Sequence, residues 1–144
     1  RGHFYVPHIV HSVQGERLDT TYTSMRRTKV DRHYYNYAVA GMRRAVEQGT
    51  CRGADFPGVQ VCGKTGTAQN RGHDHSAFMG FAPMNNPQIA VCVYVENGGF
   101  GADFAVPIGS LIMEQYVNGK LSASSEIKAN TFQHRHISYG RQAR

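Results

Sequence analysis

Apolar positions along the chain change their spacing several times, and each change marks an expected element. Tyr35, Val39, Met42 and Val46 recur at steps of four, three and four, which lines one face of a helix. Asp31 stands ahead of them as a candidate cap and Gly49 behind them as a stop. Phe104, Ile108, Leu111, Ile112 and Tyr116 form a second helical stripe, with Asp103 as its cap, Pro107 in the tolerated first turn and Asn118-Gly119 closing it. Between the helices, Val59 to Ala68 is rich in β-branched residues, Ser76 to Ala82 is apolar on both faces, and Gln88 to Glu96 alternates as a central strand does. Turns at His73 to His75 and Met84 to Pro87 separate these three strands. Loops so short force antiparallel neighbours, because a parallel crossover needs about a dozen residues and normally a helix. The pattern predicts an α+β domain, an antiparallel meander sheet with helices packed on it.

The ends of the chain are less periodic. Phe4 to Val13 reads as extended, with Pro7 favouring an edge or a bend, and Gln14 to Lys29 as a polar connection or ragged hairpin. Residues 1–120 are expected to form the domain, and residues 121–144, poor in large apolar groups, a polar tail that is extended or loosely packed. The whole is 40% hydrophobic and 18% charged, a globular composition, and no stretch approaches the roughly 18 to 20 apolar residues of a membrane span. A formal charge of +6 with eight His steers anions, and a carboxylate, an anionic lipid or a nucleic acid would all fit it. Three cysteines at wide spacing, Cys51, Cys62 and Cys92, make neither a disulfide framework nor a zinc knuckle; Cys62 and Cys92, in apolar runs, read as small buried hydrophobes. His73, Asp74 and His75, with His134 and His136, lack a third ligand at a fixed spacing and read as a strand-connecting turn, so no metal or cofactor is expected. The basic run Met25 to Lys29 with Arg32 has no aromatic platform or recognition helix beside it, and no nucleic-acid partner is expected.

The most informative residues run from Gly58 to Thr67, GVQVCGKTGT, and two chemistries compete for them. Gly58, Gly63, Lys64 and Thr65 satisfy the spacing of a phosphate-binding P-loop, which would make the chain a nucleotide binder. That mechanism needs a small-residue loop and a helix starting at Lys64, whereas Pro57 precedes the motif, Val-Gln-Val-Cys fills it, and Thr65-Gly66-Thr67 follows. In the alternative, Lys64 to Thr67 ends a strand that lines a cleft. Thr65 and Thr67 then project to one side, so both hydroxyls reach one carboxylate, with the Lys64 charge beside it. Gly63 and Gly66 offer no side chain to fend off a peptide that pairs with the strand. A surface strand with a solvated Lys and threonines of high β-propensity also fits the spacing.

GKTGTAQN, then HSAFMGFAP, then QIAVCVYVENGG and a closing helix, with PHIV before the first helix and FPG before the strand, resemble a known family. They match the C-terminal part of the transpeptidase domain of class B penicillin-binding proteins, the elongation-type penicillin-binding protein 2 branch above all, from about Phe4 to about Leu121. The resemblance implies a partial β-lactamase/transpeptidase-like fold. It implies a parent protein of the bacterial inner membrane with a periplasmic catalytic domain, which cross-links peptidoglycan by serine acylation, is targeted by β-lactams and works in a cell-wall elongation complex. Of the family's three motifs, Ser-x-x-Lys, Ser-x-Asn and Lys-Thr/Ser-Gly, only the third is in place. By resemblance, Lys64 keeps the cleft positive and bonds the second motif's serine. Thr65, Gly66 and Thr67 hold the carboxylate end of the D-Ala-D-Ala stem peptide, and the Thr67 N–H forms half of the oxyanion hole.

Ser125 to Lys128 spells Ser-x-x-Lys but follows the strand instead of preceding it; of the Tyr-x-Asn variants of the second motif, Tyr34-Tyr35-Asn36 lies inside a predicted helix and Tyr116-Val117-Asn118 comes after the strand, in the wrong order. The expectation is a fragment without a nucleophile, inactive alone. The strand from Gln88 to Glu96 should then have an unpaired edge that self-associates or is covered by another segment. A non-catalytic peptide-binding or scaffold module using the same strand is the alternative from a different class.

Overall fold

The computed structural model describes residues 2–137, which fall into two compact units divided between Ala38 and Val39. The first unit is built from very short elements: β1 (His3–Phe4), β2 (Ser12–Val13), β3 (Glu16–Arg17), the one-turn helix α1 (Thr20–Thr23) and β4 (Arg26–Arg27). Strand β1 pairs with β4, and β2 with β3, both antiparallel. Gln14 and Gly15, at φ 51° and 84°, make the two-residue turn that a tight hairpin requires. The ragged hairpin expected after Val13 is there. The extended reading of Phe4 to Val13 holds as strand only at its ends; Tyr5, Ile9 and Val10 are exposed, and a segment with no face to bury has nothing to hold it in a sheet.

Helix α2 (Tyr34–Glu47) begins in the first unit and continues into the second. Val39 and Val46 are buried and Tyr35 and Met42 half-buried, so the expected stripe is the inward face. Asp31 serves through its backbone carbonyl, which accepts the Tyr34 N–H at 3.1 Å. From Val39 onward the core gathers Val46, Cys51, Ala54, Phe56, Val61, Phe78, Ala82, Ala105, Val106 and Met113.

The sheet of this second unit is β5 (Cys62–Ala68), β6 (His75–Ala82) and β7 (Ile89–Val95), in that order, antiparallel throughout. This is the expected meander. Strand β7 is an edge among the described residues, as the fragment reading expected and against the central strand its alternation suggested: Ala90, Cys92 and Tyr94 are exposed while Val91 and Val93 are half-buried. Alternation reports that one face is packed and says nothing about how many strands flank it. Cys92 is accordingly exposed, correcting its reading as a buried hydrophobe, whereas Cys51 and Cys62 are buried.

Helix α3 (Ala105–Asn118) packs across β6 and β7 and ends on Gly119 at φ 71°. Its inward face differs from the expected stripe. Ala105, Val106, Gly109, Ser110, Met113 and Glu114 are buried, while Ile112 and Tyr116 are 47% and 62% exposed. The reason is Phe78, 1% exposed, whose ring lies so close to the helix that a Cβ on Gly109 would sit 2.5 Å from it. Only the small-residue side of the helix can approach a ring held there. Asp103 does not cap α3; its carboxylate accepts the Phe100 N–H at 3.2 Å, and Phe104 occupies the cap position.

Residues 121–133 are not an extended tail. Helix α4 (Ala123–Gln133) packs on α3, with Ser125 buried and Phe132 edge-on to Phe104 at 5.4 Å. It was illegible as a helix because its buried side is polar. The fully buried Glu114 accepts the Ser122 N–H at 3.0 Å through Oε1 and lies beside Ser125, and Lys128 Nζ donates to Gly53 O at 3.2 Å and Ser110 Oγ at 3.4 Å. The rest of the expected tail, residues 138–144, lies outside the described residues. No helix among the described residues is long and apolar enough to cross a membrane.

Candidate functional site

The turn that leads to β5 is fixed by Phe56-Pro57-Gly58-Val59. Phe56 bridges Val59, and Gly58 at φ 83° takes the left-handed corner that Pro-Gly turns need. Arg43 of α2 braces this approach, donating through Nη1 to Asp55 Oδ1 and to Val61 O, each at 3.0 Å, and through Nε to Glu47 at 2.9 Å. Gly58 is thus a turn residue and Lys64 lies within a strand. No helix N-terminus follows to hold a phosphate, and the P-loop reading is corrected on that ground.

Strand β5 is the other edge of the sheet, paired with β6 on one side only among the described residues. Thr65 stands opposite Phe78 and Thr67 opposite Ser76, so both threonines share the face that carries Phe78 and Ser76. Lys64, opposite the exposed Met79, leaves on the other face, but its side chain turns back so that Nζ donates to Thr65 O at 2.8 Å. The positive charge therefore lies against the strand beside the threonines. Lys64 and Thr67 are exposed, and Thr65 and Gly66 half-buried, so the four residues are presented together along one open edge.

Two walls flank Thr65. From the end of α2, Thr50 places its hydroxyl 2.8 Å from the Thr65 hydroxyl. The loop before α3 closes in beside it: a Cβ on Gly101 would meet Ala77 O at 2.5 Å, and Gly66 O and Thr65 Cβ at 2.9 Å, so only glycine lets that loop lie on the strand. Ser76 anchors the loop, donating to Phe100 O at 2.8 Å while accepting the Ala105 N–H at 3.0 Å. His75 braces the far end, where Nδ1 accepts the Asn97 N–H at 2.9 Å and the ring lies 5.3 Å from Tyr94. His75 therefore acts as a turn brace.

The sequence singled out Lys64, Thr65, Gly66 and Thr67, which lie together on β5, and did not single out Thr50 or Gly101. The signal for Gly101 was the glycine-rich NGGFG break, read as a sheet breaker only. Ser125 and Lys128, which spell Ser-x-x-Lys, are on α4. Ser125 is 2% exposed, so it offers no open hydroxyl. Burial pushes the Glu114 carboxyl up, but hydrogen bonds from Ser125 and Ser122 and the Lys128 charge outweigh it and hold the group below its ordinary value. Burial lowers the Lys128 ammonium, against the opposing pull of Glu114 and Asp55.

Comparison with known proteins agrees with this geometry. The family model for the penicillin-binding protein transpeptidase domain matches residues 1–114. A Haemophilus influenzae protein named peptidoglycan D,D-transpeptidase MrdA is 30% identical over 83% of this chain and 22% of its own length. The crystal structure of Pseudomonas aeruginosa PBP2 in complex with WCK 5153 superposes with a TM-score of 0.65 at 34% identity, over 84% of this chain and 28% of that one. A ceftriaxone acyl-enzyme complex of penicillin-binding protein A from Mycobacterium tuberculosis gives a TM-score of 0.59 at 31% identity, over 65% of this chain and 23% of that one. The chain spans about a fifth of the length of the curated relatives it matches. With the family model matching most of the chain and an α+β arrangement shared with solved transpeptidases, the chain belongs to the penicillin-binding protein transpeptidase domain family, as part of the transpeptidase domain of a class B penicillin-binding protein.

Proposed function

We propose that the chain is part of a peptidoglycan D,D-transpeptidase, and that β5 is the strand against which the D-Ala-D-Ala end of a stem peptide, or a β-lactam, lies. The observation that carries this reading is the open edge of β5, with Lys64 Nζ held on the strand and the two threonines on one face beside it. Thr65 and Thr67 hydroxyls donate to the terminal carboxylate, Gly66 lets the peptide backbone approach, and Lys64 keeps the edge positive.

In the parent protein, a serine outside this chain attacks the penultimate D-Ala carbonyl. The developing oxyanion takes a hydrogen bond from the Thr67 N–H, terminal D-Ala leaves with a proton, and an amine of a neighbouring stem displaces the serine ester. The parent works at the inner membrane, its catalytic domain in the periplasm, within a cell-wall elongation complex. On this reading the chain supplies recognition and not the nucleophile: the serine of its Ser-x-x-Lys match, Ser125, is buried on α4. The test is intact-mass spectrometry after incubation with a fluorescent penicillin. The parent chain is expected to gain one acyl adduct and this chain none; an adduct on this chain, or none on the parent, would refute the assignment.

A further inference from the structure

The Thr50 hydroxyl lies outside every motif that the proposed function uses, yet it stands 2.8 Å from the hydroxyl of Thr65. We propose that Thr50 is a positioning residue for carboxylate recognition, its O–H donating to Thr65 Oγ1 so that the Thr65 proton is aimed at the anion. The proposal rests on the reading of β5 as a carboxylate-binding strand.

The turn that delivers Thr50 is tightly built. Gly49 N–H donates to Ala45 O at 3.1 Å, and Cys51 N–H to the same carbonyl at 3.0 Å. A Cβ on Gly49 would fall 2.9 Å from Ala45 Cα and O, so any larger residue would force the turn open. Cys51 is wholly buried, and its carbonyl accepts the Ala54 N–H at 2.8 Å. Thr50 therefore sits between two fixed neighbours although it is itself exposed, and its pairing with Thr65 comes from the backbone and not from burial.

The direction of the bond follows from the ligand. A hydroxyl has one proton, and a carboxylate accepts only, so a Thr65 that serves a carboxylate must give its proton to it. Its oxygen is then free to accept, and Thr50 is the donor in place. Donation from Thr50 also polarises the Thr65 O–H and strengthens the bond it makes to an anion. A peptide ending in an amide offers one neutral acceptor oxygen and gains less from this orientation than a charged carboxylate does. Thr50 accordingly favours a free carboxylate over a capped end.

The experiment is an NMR titration of the isotope-labelled chain with N-acetyl-D-Ala-D-Ala and with its C-terminal amide, for the native chain and for Thr50→Val, Thr50→Ser and Thr65→Val. Thr50→Val is expected to weaken carboxylate binding roughly twofold to tenfold, the range of one hydrogen bond, and to weaken amide binding less. Thr50→Ser keeps the hydroxyl and is expected to restore the native affinity, which separates positioning from general damage to the turn. If Thr65→Val weakens carboxylate binding and Thr50→Val does not, the Thr50 proposal is wrong and the reading of β5 stands. If the native chain shows no carboxylate-dependent shifts along β5, or Thr65→Val has no effect, the reading of β5 falls and the Thr50 proposal falls with it.

Discussion

Gly109→Ala reverses the sign that helix propensity alone would give. In an exposed helix interior the exchange stabilises by about 1 kcal/mol. Here the new Cβ arrives 2.5 Å from Phe78 Cδ1 and 2.7 Å from Cε1, against the ~3.5–4.0 Å that carbon atoms prefer. The ring must retreat by about 1 Å. It has nowhere to go, because Gly63 and Gly80 already lie against its other edges, where their own Cβ atoms would be 2.5 and 2.6 Å away. Overpacking of this kind costs ~1–3 kcal/mol, so the propensity gain leaves a net loss of about 1 kcal/mol or more. Urea unfolding should show a lower midpoint at unchanged slope. In the double variant Phe78→Leu with Gly109→Ala the smaller side chain relieves the overlap, and the two losses should sum to less than additive. A single Gly109→Ala variant as stable as the native chain, with additive behaviour in the pair, would refute the claim that Phe78 dictates which face of α3 turns inward.

Glu114→Gln should lower stability at neutral pH by about 1–3 kcal/mol, since it removes the carboxylate that Ser122, Ser125 and Lys128 surround. The native carboxyl is held below its reference value of 4.5, so its contribution is present above that pH and lost as pH falls through the folded value; thermal melts of the variant should show a flatter acid limb. Burial lowers Lys128 below 10.5, so the unfolded chain binds the extra proton just beneath that pH, and native stability should rise with pH there; Lys128→Met should abolish the rise. A thiol reagent should modify Cys92 quickly and Cys51 and Cys62 only on unfolding, with a single fast equivalent in a timed mass spectrum; rapid modification of more than one would contradict the burial of the other two.

The meander was legible because the Met84 to Pro87 turn is too short for anything but antiparallel neighbours. The inward face of α2 was legible because its large aliphatic groups, Val39, Met42 and Val46, all fall on one stripe, while the off-stripe Tyr34 and Tyr37 are exposed. On α3 the same logic pointed to Ile112 and Tyr116, since hydrophobicity marks candidates for burial, while the fit of one ring against Gly109 decided which side won. Helix α4 was hidden because what it buries is a polar cluster, Ser125 and Lys128 around Glu114, which no hydrophobic period records. At the site, period-two geometry gave the shared face of Thr65 and Thr67. The return of Lys64 Nζ to the strand and the pairing of Thr50 with a residue fifteen positions away depend on packing that spacing does not encode.

The central claim is that β5 recognises a terminal carboxylate, and amide shifts of the isotope-labelled chain titrated with N-acetyl-D-Ala-D-Ala test it most directly. Saturable shifts concentrated at Gly63, Lys64, Thr65, Gly66 and Thr67, and much weaker with the C-terminal amide, are the predicted result. Shifts elsewhere in the sheet with β5 unmoved, or equal shifts with the two ligands, would contradict it.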